Sequence, residues 1–460
     1  MNAQTKIKLA YIGGGSRGWA WSFMSDLAAQ NNLYGDIYLY DIDYEAAKYN
    51  EKIGNSIPES ADKWTYHASN NIGEALSDAD FVIISILPGT FNEMASDVHL
   101  PEEYGIYQSV GDTTGPGGII RALRTIPMYE TIGKAIKEFC PDAWVINYTN
   151  PMTVCVDTLY RVFPKIKAFG CCHEVFGTQV LLSKMLAVMK GIEKVDRHDI
   201  KVNVVGVNHF TWITDAHYKN INLFEMYKEF ADTYYYEGIS AKQGEKHINN
   251  SFTCLQRVKF DLFRRFGYIA AAGDRHLAEF CPGDWYLNSP EQVADWKFGL
   301  TTVEWRKNDL VERMERSRRL YTGEEKFELH ETGEEGINQI RAIMGYGDLL
   351  TNVNIINRGQ IPNLPIGSIV ETNALFTSGT VTPTMAGEVP KEIHPLISRV
   401  CANQQIITEA ALNRDLNLAF TAFINDPLVR LPIDKAKELY GRMLNNTSKY
   451  LKDYDLSSIR

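Results

Sequence analysis

Two sets of residues in this chain have the types and spacing that chemistry requires. Residues 13–18 read GGGSRG, a glycine-rich turn of the kind that holds a dinucleotide by its phosphates. Cys172 and His209 offer a thiolate and an imidazole, which together can bind a divalent transition metal. A site that holds both a dinucleotide and a metal can oxidise a hydroxyl group and stabilise the enolate chemistry that follows.

The glycine-rich turn has the G-x-G-x-x-G spacing in the expected local context. It follows a predicted strand over residues 8–13 and opens a predicted helix over residues 19–30. Glycine permits both the tight turn and the close approach of a pyrophosphate to the backbone. An acidic residue at the end of the next strand favours NAD over NADP, because it can accept hydrogen bonds from the ribose hydroxyls. The residues predicted to bind NAD are Gly13, Gly14, Gly15, Ser16, Gly18 and Asp41.

The thiol and the imidazole each lie at the end of a predicted strand. Cys172 ends the strand 167–172, and His209 follows the strand 200–207. Ligands of doubly wound folds bind at such carboxyl ends. Two protein ligands would leave positions on the metal for substrate hydroxyls and water. Spacing alone nevertheless favours a core thiol and a hydrogen-bonded loop histidine, since residues so far apart form no recognised metal motif.

Two further segments carry groups that could contact a substrate. Asn150 precedes a proline after the predicted strand 144–148, which suits a turn and a substrate-hydroxyl contact about equally. Residues 268–276 bring together a phenol, a carboxylate, a guanidinium and an imidazole, from Tyr268, Asp274, Arg275 and His276. This density of titratable groups is typical of a functional site, although a solvated loop would have the same composition.

The elements that must position these residues divide into two kinds. Up to about residue 200, apolar strands such as 81–87 and 144–148 alternate with amphipathic helices, which predicts an α/β fold with a Rossmann-like doubly wound parallel sheet. From about residue 220 the pattern is mostly helical, with one strand-like insertion at 364–376. We therefore predict an NAD-binding domain over 1–200 and an α+β domain for substrate, metal and oligomerisation over 201–460, in an architecture like that of lactate and malate dehydrogenases, with the active site between them.

Composition excludes several classes of partner. The 460-residue chain is 45% hydrophobic and 23% charged, and its formal net charge is −10 without a dense basic run. Nucleic acids and anionic membranes are therefore not expected as partners. No signal peptide is evident, and no stretch has the roughly 18 apolar residues of a membrane span. The seven scattered cysteines favour free thiols, and together these features predict a cytoplasmic protein.

Six segments, taken together and in this order, resemble those of glycoside hydrolase family 4, the NAD- and metal-dependent glycosidases. They extend over nearly the whole chain and read YIGGGSRGW, GDTTGPGGIIRALRTIP, INYTNPM, GCCHEV, GVNHFTW and NLPIGSIVET. The resemblance implies that Cys172 and His209 are metal ligands, against the interpretation from spacing alone. The implied metal is Mn²⁺, with Co²⁺, Ni²⁺ and Fe²⁺ as alternatives.

The resemblance also implies catalytic roles. His173 is expected to assist departure of the leaving group and Asn150 to bind substrate, while the base that takes the C2 proton is either Tyr268 or Asp274. In the family's reaction NAD⁺ accepts a hydride from C3 of the sugar and the C2 proton is removed. The leaving group then departs by elimination, water adds, and the hydride returns.

The residues after the ligand cysteine indicate the substrate. The segment Cys172-His173-Glu174-Val175 resembles that of the α-galacturonidase group. Family members that act on phosphorylated sugars have other residues after the cysteine, so a phosphorylated substrate is disfavoured. A small uronic-acid glycoside is thus the expected substrate, with Arg275 holding its carboxylate. The alternatives are an α-glucosidase, α-galactosidase or α-glucuronidase of this family, a lactate/malate-type dehydrogenase, or a nucleotide-sensing protein without catalysis. Family members are usually dimers or tetramers, so a homodimer or homotetramer is expected.

Overall fold

The computed structural model describes residues 4–240 and 252–459. The strands are β1 (Thr5–Ile12), β2 (Leu33–Tyr40), β3 (Trp64–Ser69), β4 (Phe81–Ile84), β5 (Trp144–Asn147), β6 (Lys167–Gly170), β7 (Ile200–Val207), β8 (Phe210–Tyr218), β9 (Ile221–Asn222), β10 (Ile269–Ala270), β11 (Leu349–Ile356), β12 (Ile369–Thr377) and β13 (Thr380–Pro383).

Helices surround the strands on both faces. They are α1 (Trp19–Ala29), α2 (Tyr44–Asn55), α3 (Ile72–Leu76), α4 (Phe91–His99), α5 (Gly115–Phe139), α6 (Met152–Val162), α7 (Glu174–Lys190), α8 (Phe224–Thr233), α9 (Arg257–Phe266), α10 (Asp274–Phe280), α11 (Gly283–Tyr286), α12 (Pro290–Asp295), α13 (Val303–Thr322), α14 (Gly336–Ile343), α15 (His394–Asn413), α16 (Leu416–Asn425) and α17 (Ile433–Asn446).

The larger sheet confirms the predicted doubly wound arrangement. Within the described residues it has nine strands in the order β13-β12-β11-β6-β5-β4-β1-β2-β3, of which β1 to β6 are parallel. Their order, 3-2-1-4-5-6, is that of dinucleotide-binding folds, and it reverses between β1 and β4. All four residues of β4 are buried, as expected for a strand covered on both faces. Ligands of such sheets bind at the carboxyl ends near this reversal.

The C-terminal half completes this sheet, which the sequence did not predict. The single strand-like insertion expected at 364–376 corresponds to β12, and the structure adds β11 before it and β13 after it. They extend the sheet antiparallel from β6, where Asn354 pairs with Gly170. The sequence did not predict strand β11, because Asn352 and Asn354 interrupt its apolar residues. A domain boundary at residue 200 stays a prediction, and the two ranges share one sheet.

A smaller sheet carries the predicted imidazole ligand. Strands β7 and β8 form an antiparallel hairpin in which Val207 pairs with Phe210, so Asn208 and His209 make a two-residue turn. His209 has a φ of 63°, a left-handed conformation that is uncommon for residues other than glycine. Such backbone conformations often occur at functional sites, where the surrounding structure holds them.

The two predicted halves also share a core. Helix α5 is buried along most of its length, and its Ile120 and Leu123 belong to the same apolar cluster as Ile407 and Ala410 of α15. All seven cysteines are free. None of the helices in the described part of the chain combines the length and apolar character that a bilayer span requires.

Candidate active site

The glycine-rich turn lies flat against β2 and α2. Gly13 has a φ of 93°, and a Cβ on Gly14 would lie 2.7 Å from Cα of Leu39. A Cβ on Gly15 would lie 2.7 Å from Cβ of Ala46. Asn50 holds the turn from below, donating to the carbonyl oxygens of residues 14 and 16 at 2.7 and 3.0 Å. Only glycine fits these positions, which leaves the backbone open to a close ligand.

Two features of this turn fit a dinucleotide. Helix α1 begins at Trp19 with Gly18 as its N-cap and no side-chain cap, so its first N–H groups can bind a phosphate. Asp41 lies after β2, where its Oδ2 accepts from N–H of Gly15 at 2.8 Å. The carboxylate therefore lies beside the turn, within reach of a ribose whose phosphates bind there.

The predicted metal ligands are both buried, with exposed fractions of 5% for Cys172 and 3% for His209. His209 Nδ1 lies 2.9 Å from Oγ1 of Thr113, and that hydroxyl donates its one hydrogen to Asp112 at 2.8 Å. Nδ1 of His209 must therefore be the donor, which leaves a lone pair on Nε2. Burial lowers the pKa of His209 to about 3, so the ring is neutral at physiological pH. A neutral imidazole with a free Nε2 is the form that binds a metal.

Three further groups lie around His209, of which His276 belongs to the candidate segment 268–276 and the other two were not predicted as site residues. The ring of His276 lies 3.9 Å from that of His209, centroid to centroid. Glu174 Oε1 lies 3.5 Å from Nε2 of His276, and its Oε2 accepts from N–H of Gly273 at 2.7 Å. Burial acts to raise the pKa of Asp112, but the Arg121 guanidinium and nearby histidines outweigh it and lower the pKa to about 2. The pocket thus holds ionised carboxylates beside neutral imidazoles.

The donor set fits a divalent cation whose shell is completed from outside the protein. Burial raises the pKa of the Cys172 thiol, an effect that a bound cation would offset. The Oδ1 atoms of Asn150 and Asn208 are buried without a hydrogen-bond partner in the described part of the chain. No group of three or more His, Cys, Asp or Glu residues that could hold a metal occurs in residues 4–240 or 252–459. Cys172 and His209 by themselves would leave positions on a cation for water and substrate oxygens.

His173 and Asn150 both lie at this pocket. His173 is half-exposed, its Nδ1 lies 3.0 Å from Oε1 of Glu334, and its ring stacks on Trp19 at 6.2 Å. It thus lies between the metal ligands and the start of α1. Asn150 Nδ2 lies 3.4 Å from Oδ2 of Asp112.

The structure does not bring Tyr268 or Asp274 beside the metal ligands. Tyr268 precedes β10, whose Ile269 pairs with Ile213, roughly 13 Å along the strand from His209 at about 3.3 Å per residue. Asp274 is fully buried, and its Oδ1 accepts from N–H of Lys259 at the start of α9 at 3.1 Å. Burial raises the pKa of Asp274 to about 6. The role of either residue as the C2 base stays a prediction.

The Arg275 side chain is positioned by contacts to Ser109, Thr301 and Phe252. Its Nη2 donates to the carbonyl oxygen of Ser109 at 2.9 Å and to the hydroxyl of Thr301. Its guanidinium lies 4.8 Å from the ring centroid of Phe252. The Nε atom is buried without a hydrogen-bond partner among the described residues. These contacts fix the side chain and leave part of its donor capacity for a ligand.

The signals for the residues that sequence reasoning missed differ. Asp112 and Glu174 stand inside segments already recognised, so only their roles were missing. Thr113 has no signal, because its importance is one hydrogen bond to His209. Helix α13 carries several arginines, one of which, Arg306, bears on the inference drawn below. The sequence does not distinguish Arg306 from the arginines of this helix that are exposed to solvent.

A glycine-rich turn and a thiol–imidazole pair on one Rossmann-type scaffold define a class of dinucleotide-fold enzyme with a candidate metal centre. The chain belongs to glycosyl hydrolase family 4. Residues 8–188 match the model of the Family 4 glycosyl hydrolases, and residues 204–429 match that of the Family 4 glycosyl hydrolase C-terminal domain.

Relatives and solved structures agree with this membership. The alpha-galacturonidase of Thermoanaerobacterium saccharolyticum is 60% identical over 455 residues, which cover 98% of each chain. That of Bacillus subtilis is 51% identical over 439 residues, covering 95% of this chain and 97% of its own. The crystal structure of Bacillus subtilis lplD has a TM-score of 0.92 at 51% identity, covering 95% of this chain and 100% of that one.

A more distant structure shares the fold. A 6-phospho-alpha-glucosidase from gut microorganisms, solved in complex with NAD and Mn²⁺, has a TM-score of 0.81 at 19% identity, covering 97% of this chain and 99% of its own. The predicted family, and the likeness to its α-galacturonidase group, are confirmed. The chain is a glycoside hydrolase and not a lactate/malate-type dehydrogenase.

Proposed function

We propose that this chain hydrolyses α-galacturonides in the presence of NAD⁺ and a divalent cation, Mn²⁺ before Co²⁺, Ni²⁺ or Fe²⁺. The route is oxidation at C3, loss of the C2 proton, elimination, addition of water and re-reduction. The observation that carries the proposal is the neutral His209, whose free Nε2 lies in the same pocket as the Cys172–Glu174 segment. The names and high identity of the relatives support the substrate class.

Each bound group has its own set of residues. Cys172 and His209 would hold the cation, and the glycine-rich turn with Asp41 would hold the dinucleotide. When bound, the dinucleotide would supply a hydride acceptor for C3, and the cation would supply a Lewis acid for the C2 and C3 oxygens. Asn150 keeps a partnerless Oδ1 for a substrate hydroxyl.

His173 is suited to assist the leaving group. Its ring is half-exposed at the pocket, so it can reach a glycosidic oxygen that points towards solvent. The contact between its Nδ1 and Oε1 of Glu334 orients the ring. A proton held there can be given to the departing oxygen, which would otherwise leave as an alkoxide.

The reaction can be tested with 4-nitrophenyl α-glycosides in D₂O, with NAD⁺, Mn²⁺ and thiol present. We expect cleavage of the galacturonide ahead of the glucoside, galactoside and glucuronide, with deuterium at C2 of the product and no net NADH. Cleavage without deuterium at C2 would contradict the elimination route. Net NADH formation would indicate a dehydrogenase reaction.

The metal ligands provide a second test with a matched control. Cys172→Ala should lose at least 10-fold in Mn²⁺ affinity, measured by electron paramagnetic resonance, because a first ligand is gone. Cys171→Ala removes the adjacent buried thiol, which packs in a different part of the core, and should bind Mn²⁺ normally. Equal affinity of the two variants would refute the assignment of Cys172.

Location and assembly complete the proposal. Free thiols suit a reducing cytoplasm, and a homodimer or homotetramer is the expected assembly. Light scattering coupled to size-exclusion chromatography would measure the mass in solution, and a monomer would contradict this part.

A further inference from the structure

Arg306 lies near Arg275 and within electrostatic range of Asp112. It stands in the first turn of α13, just after Thr301, whose hydroxyl accepts from Arg275. The ring of Phe252 packs edge-on against Trp305 at 4.8 Å and also against the guanidinium of Arg275 at 4.8 Å. The start of α13 and the Arg275 side chain are thereby packed together, which brings two cationic side chains to one side of the pocket.

Neither guanidinium forms an ion pair with a residue that the structure describes. The Nε atoms of Arg275 and Arg306 are both buried without a hydrogen-bond partner, and no carboxylate lies within 4.0 Å of either side chain, among the described residues. Elsewhere this chain pairs a buried guanidinium fully, as in the bidentate contact of Arg124 with Asp97. An unpaired charge is costly even when it is only partly buried, so two neighbouring ones indicate a place built for an anion.

The electrostatics agree with this geometry. Burial lowers the pKa of Arg275, and the charge of Arg306 lowers it further, so the two cations repel each other. Asp112 is the carboxylate that acts most on Arg306, but it also interacts electrostatically with Arg121 and accepts from the hydroxyl of Thr113. An additional anion would relieve the repulsion without displacing an existing ion pair.

We propose that Arg306 and Arg275 together bind the C6 carboxylate of the galacturonide, which makes Arg306 a specificity-determining residue of this enzyme. The inference rests on the proposed function. A planar carboxylate can accept from two guanidinium groups at once, whereas the C6 hydroxymethyl group of a neutral hexose would leave both charges unmatched. Discrimination would thus come from the cost of leaving buried cations without a partner.

The test compares two substrates on one protein. For Arg306→Met, the ratio of kcat/KM for 4-nitrophenyl α-galacturonide to that for the α-galactoside should fall roughly 100-fold. Arg306→Lys keeps the charge without the planar fork, so the ratio should fall only about 10-fold. Arg318→Met is the matched control, because Arg318 lies on the same helix, half-exposed, and pairs with Glu315 and Glu324. Its ratio should equal that of the wild type.

Each outcome decides the matter. An unchanged ratio in Arg306→Met overturns the proposal, and so does a variant pair in which neither protein folds, since Arg306 would then be structural. Where only Arg306→Met fails to fold, the ratio for Arg306→Lys decides instead. Binding of D-galacturonate to the wild type and the variants, by isothermal titration, separates the two claims. A wild type that binds galacturonate through Arg306 but cleaves no galacturonide would refute the proposed function alone.

Discussion

At the scale of single residues, one threonine decides the state of the candidate metal ligand. The Thr113 hydroxyl has one hydrogen, which Asp112 accepts, so the contact to His209 must use the proton on Nδ1. The chain Asp112–Thr113–His209 thereby orients the ring and selects its tautomer. Such outer contacts commonly set metal affinity nearly as strongly as the ligands themselves.

Removing this hydroxyl should weaken metal binding. In Thr113→Val the buried Nδ1–H of His209 loses its acceptor, and we expect Mn²⁺ affinity to fall about 10- to 100-fold by isothermal titration. Thr113→Ser should restore it. Thr125→Val serves as the control, because among the described residues that buried hydroxyl bonds to the carbonyl of Arg121 in its own helix and to no candidate site residue. Wild-type affinity in Thr113→Val would show that the tautomer is set by other contacts.

At the scale of elements, the loop that carries Asp112 is tied to helix α10 by one carboxylate. Glu279 Oε1 accepts from N–H of Val110 at 2.7 Å and of Gly111 at 2.9 Å. The same helix begins with Asp274 and carries Arg275 and His276. The Glu279 contact and the bond from Arg275 to the carbonyl oxygen of Ser109 together hold this loop against α10.

This contact should make stability depend on pH. Burial raises the pKa of Glu279 to about 8, above its ordinary value of 4.5. The folded state thus keeps a proton that the unfolded chain loses as pH rises above about 4.5. The contribution of Glu279 to the free energy of unfolding is therefore complete below about pH 4.5 and is lost as pH rises to about 8. Between pH 5 and pH 8 the free energy of unfolding should decrease by about 3 kcal/mol.

The variant Glu279→Gln isolates this effect, because the amide keeps an acceptor oxygen but does not titrate. Its unfolding free energy, from urea titrations at pH 5, 6, 7 and 8, should fall less steeply than that of the wild type. Glu312→Gln, at an exposed position of α13, should follow the wild type. Parallel curves for all three proteins would exclude Glu279 as the source of the slope.

At the scale of the whole molecule, residues of the C-terminal half pack against the site residues that the N-terminal half supplies. Strand β11 lies beside β6 and pairs with β12 on its other side. Asn352 of β11 donates to the carbonyl oxygen of Cys172 at 3.3 Å and to Glu371 at 2.6 Å. Phe169 of β6 packs edge-on against Phe376 of β12. The candidate metal ligand Cys172 is thus supported by residues about 180 positions later in the chain.

A chain of residues 1–200 alone should therefore not form a stable sheet. It would lack the strands that cover β6 and the helices that bury α5, and the exposed edge and apolar face favour aggregation. We expect no cooperative thermal transition by circular dichroism. Co-expression with residues 201–460 should restore a single transition. A cooperative melt of residues 1–200 by themselves would show that the domain is independent.

Local features were readable from the sequence because their causes are local. The glycine-rich turn needs only a strand, a helix and the absence of a Cβ, and Gly13 and Asp41 stand where the spacing predicts them. The alternation of strands and helices likewise predicted the parallel sheet. Strand β11 was missed because its pairing with β6 and β12 outweighs a weak local pattern that two asparagines interrupt.

By itself the sequence determined the fold class and, through its recognisable segments, the family. Only the tertiary structure decided which distant residues meet: Thr113 with His209, Glu279 with Gly111, and Arg306 with Arg275. These pairings depend on how separate elements pack, and a side chain's spacing along the chain carries no record of that packing. The same physics turned Asp274 towards helix α9, where backbone donors hold its carboxylate, although its sequence neighbours line the pocket.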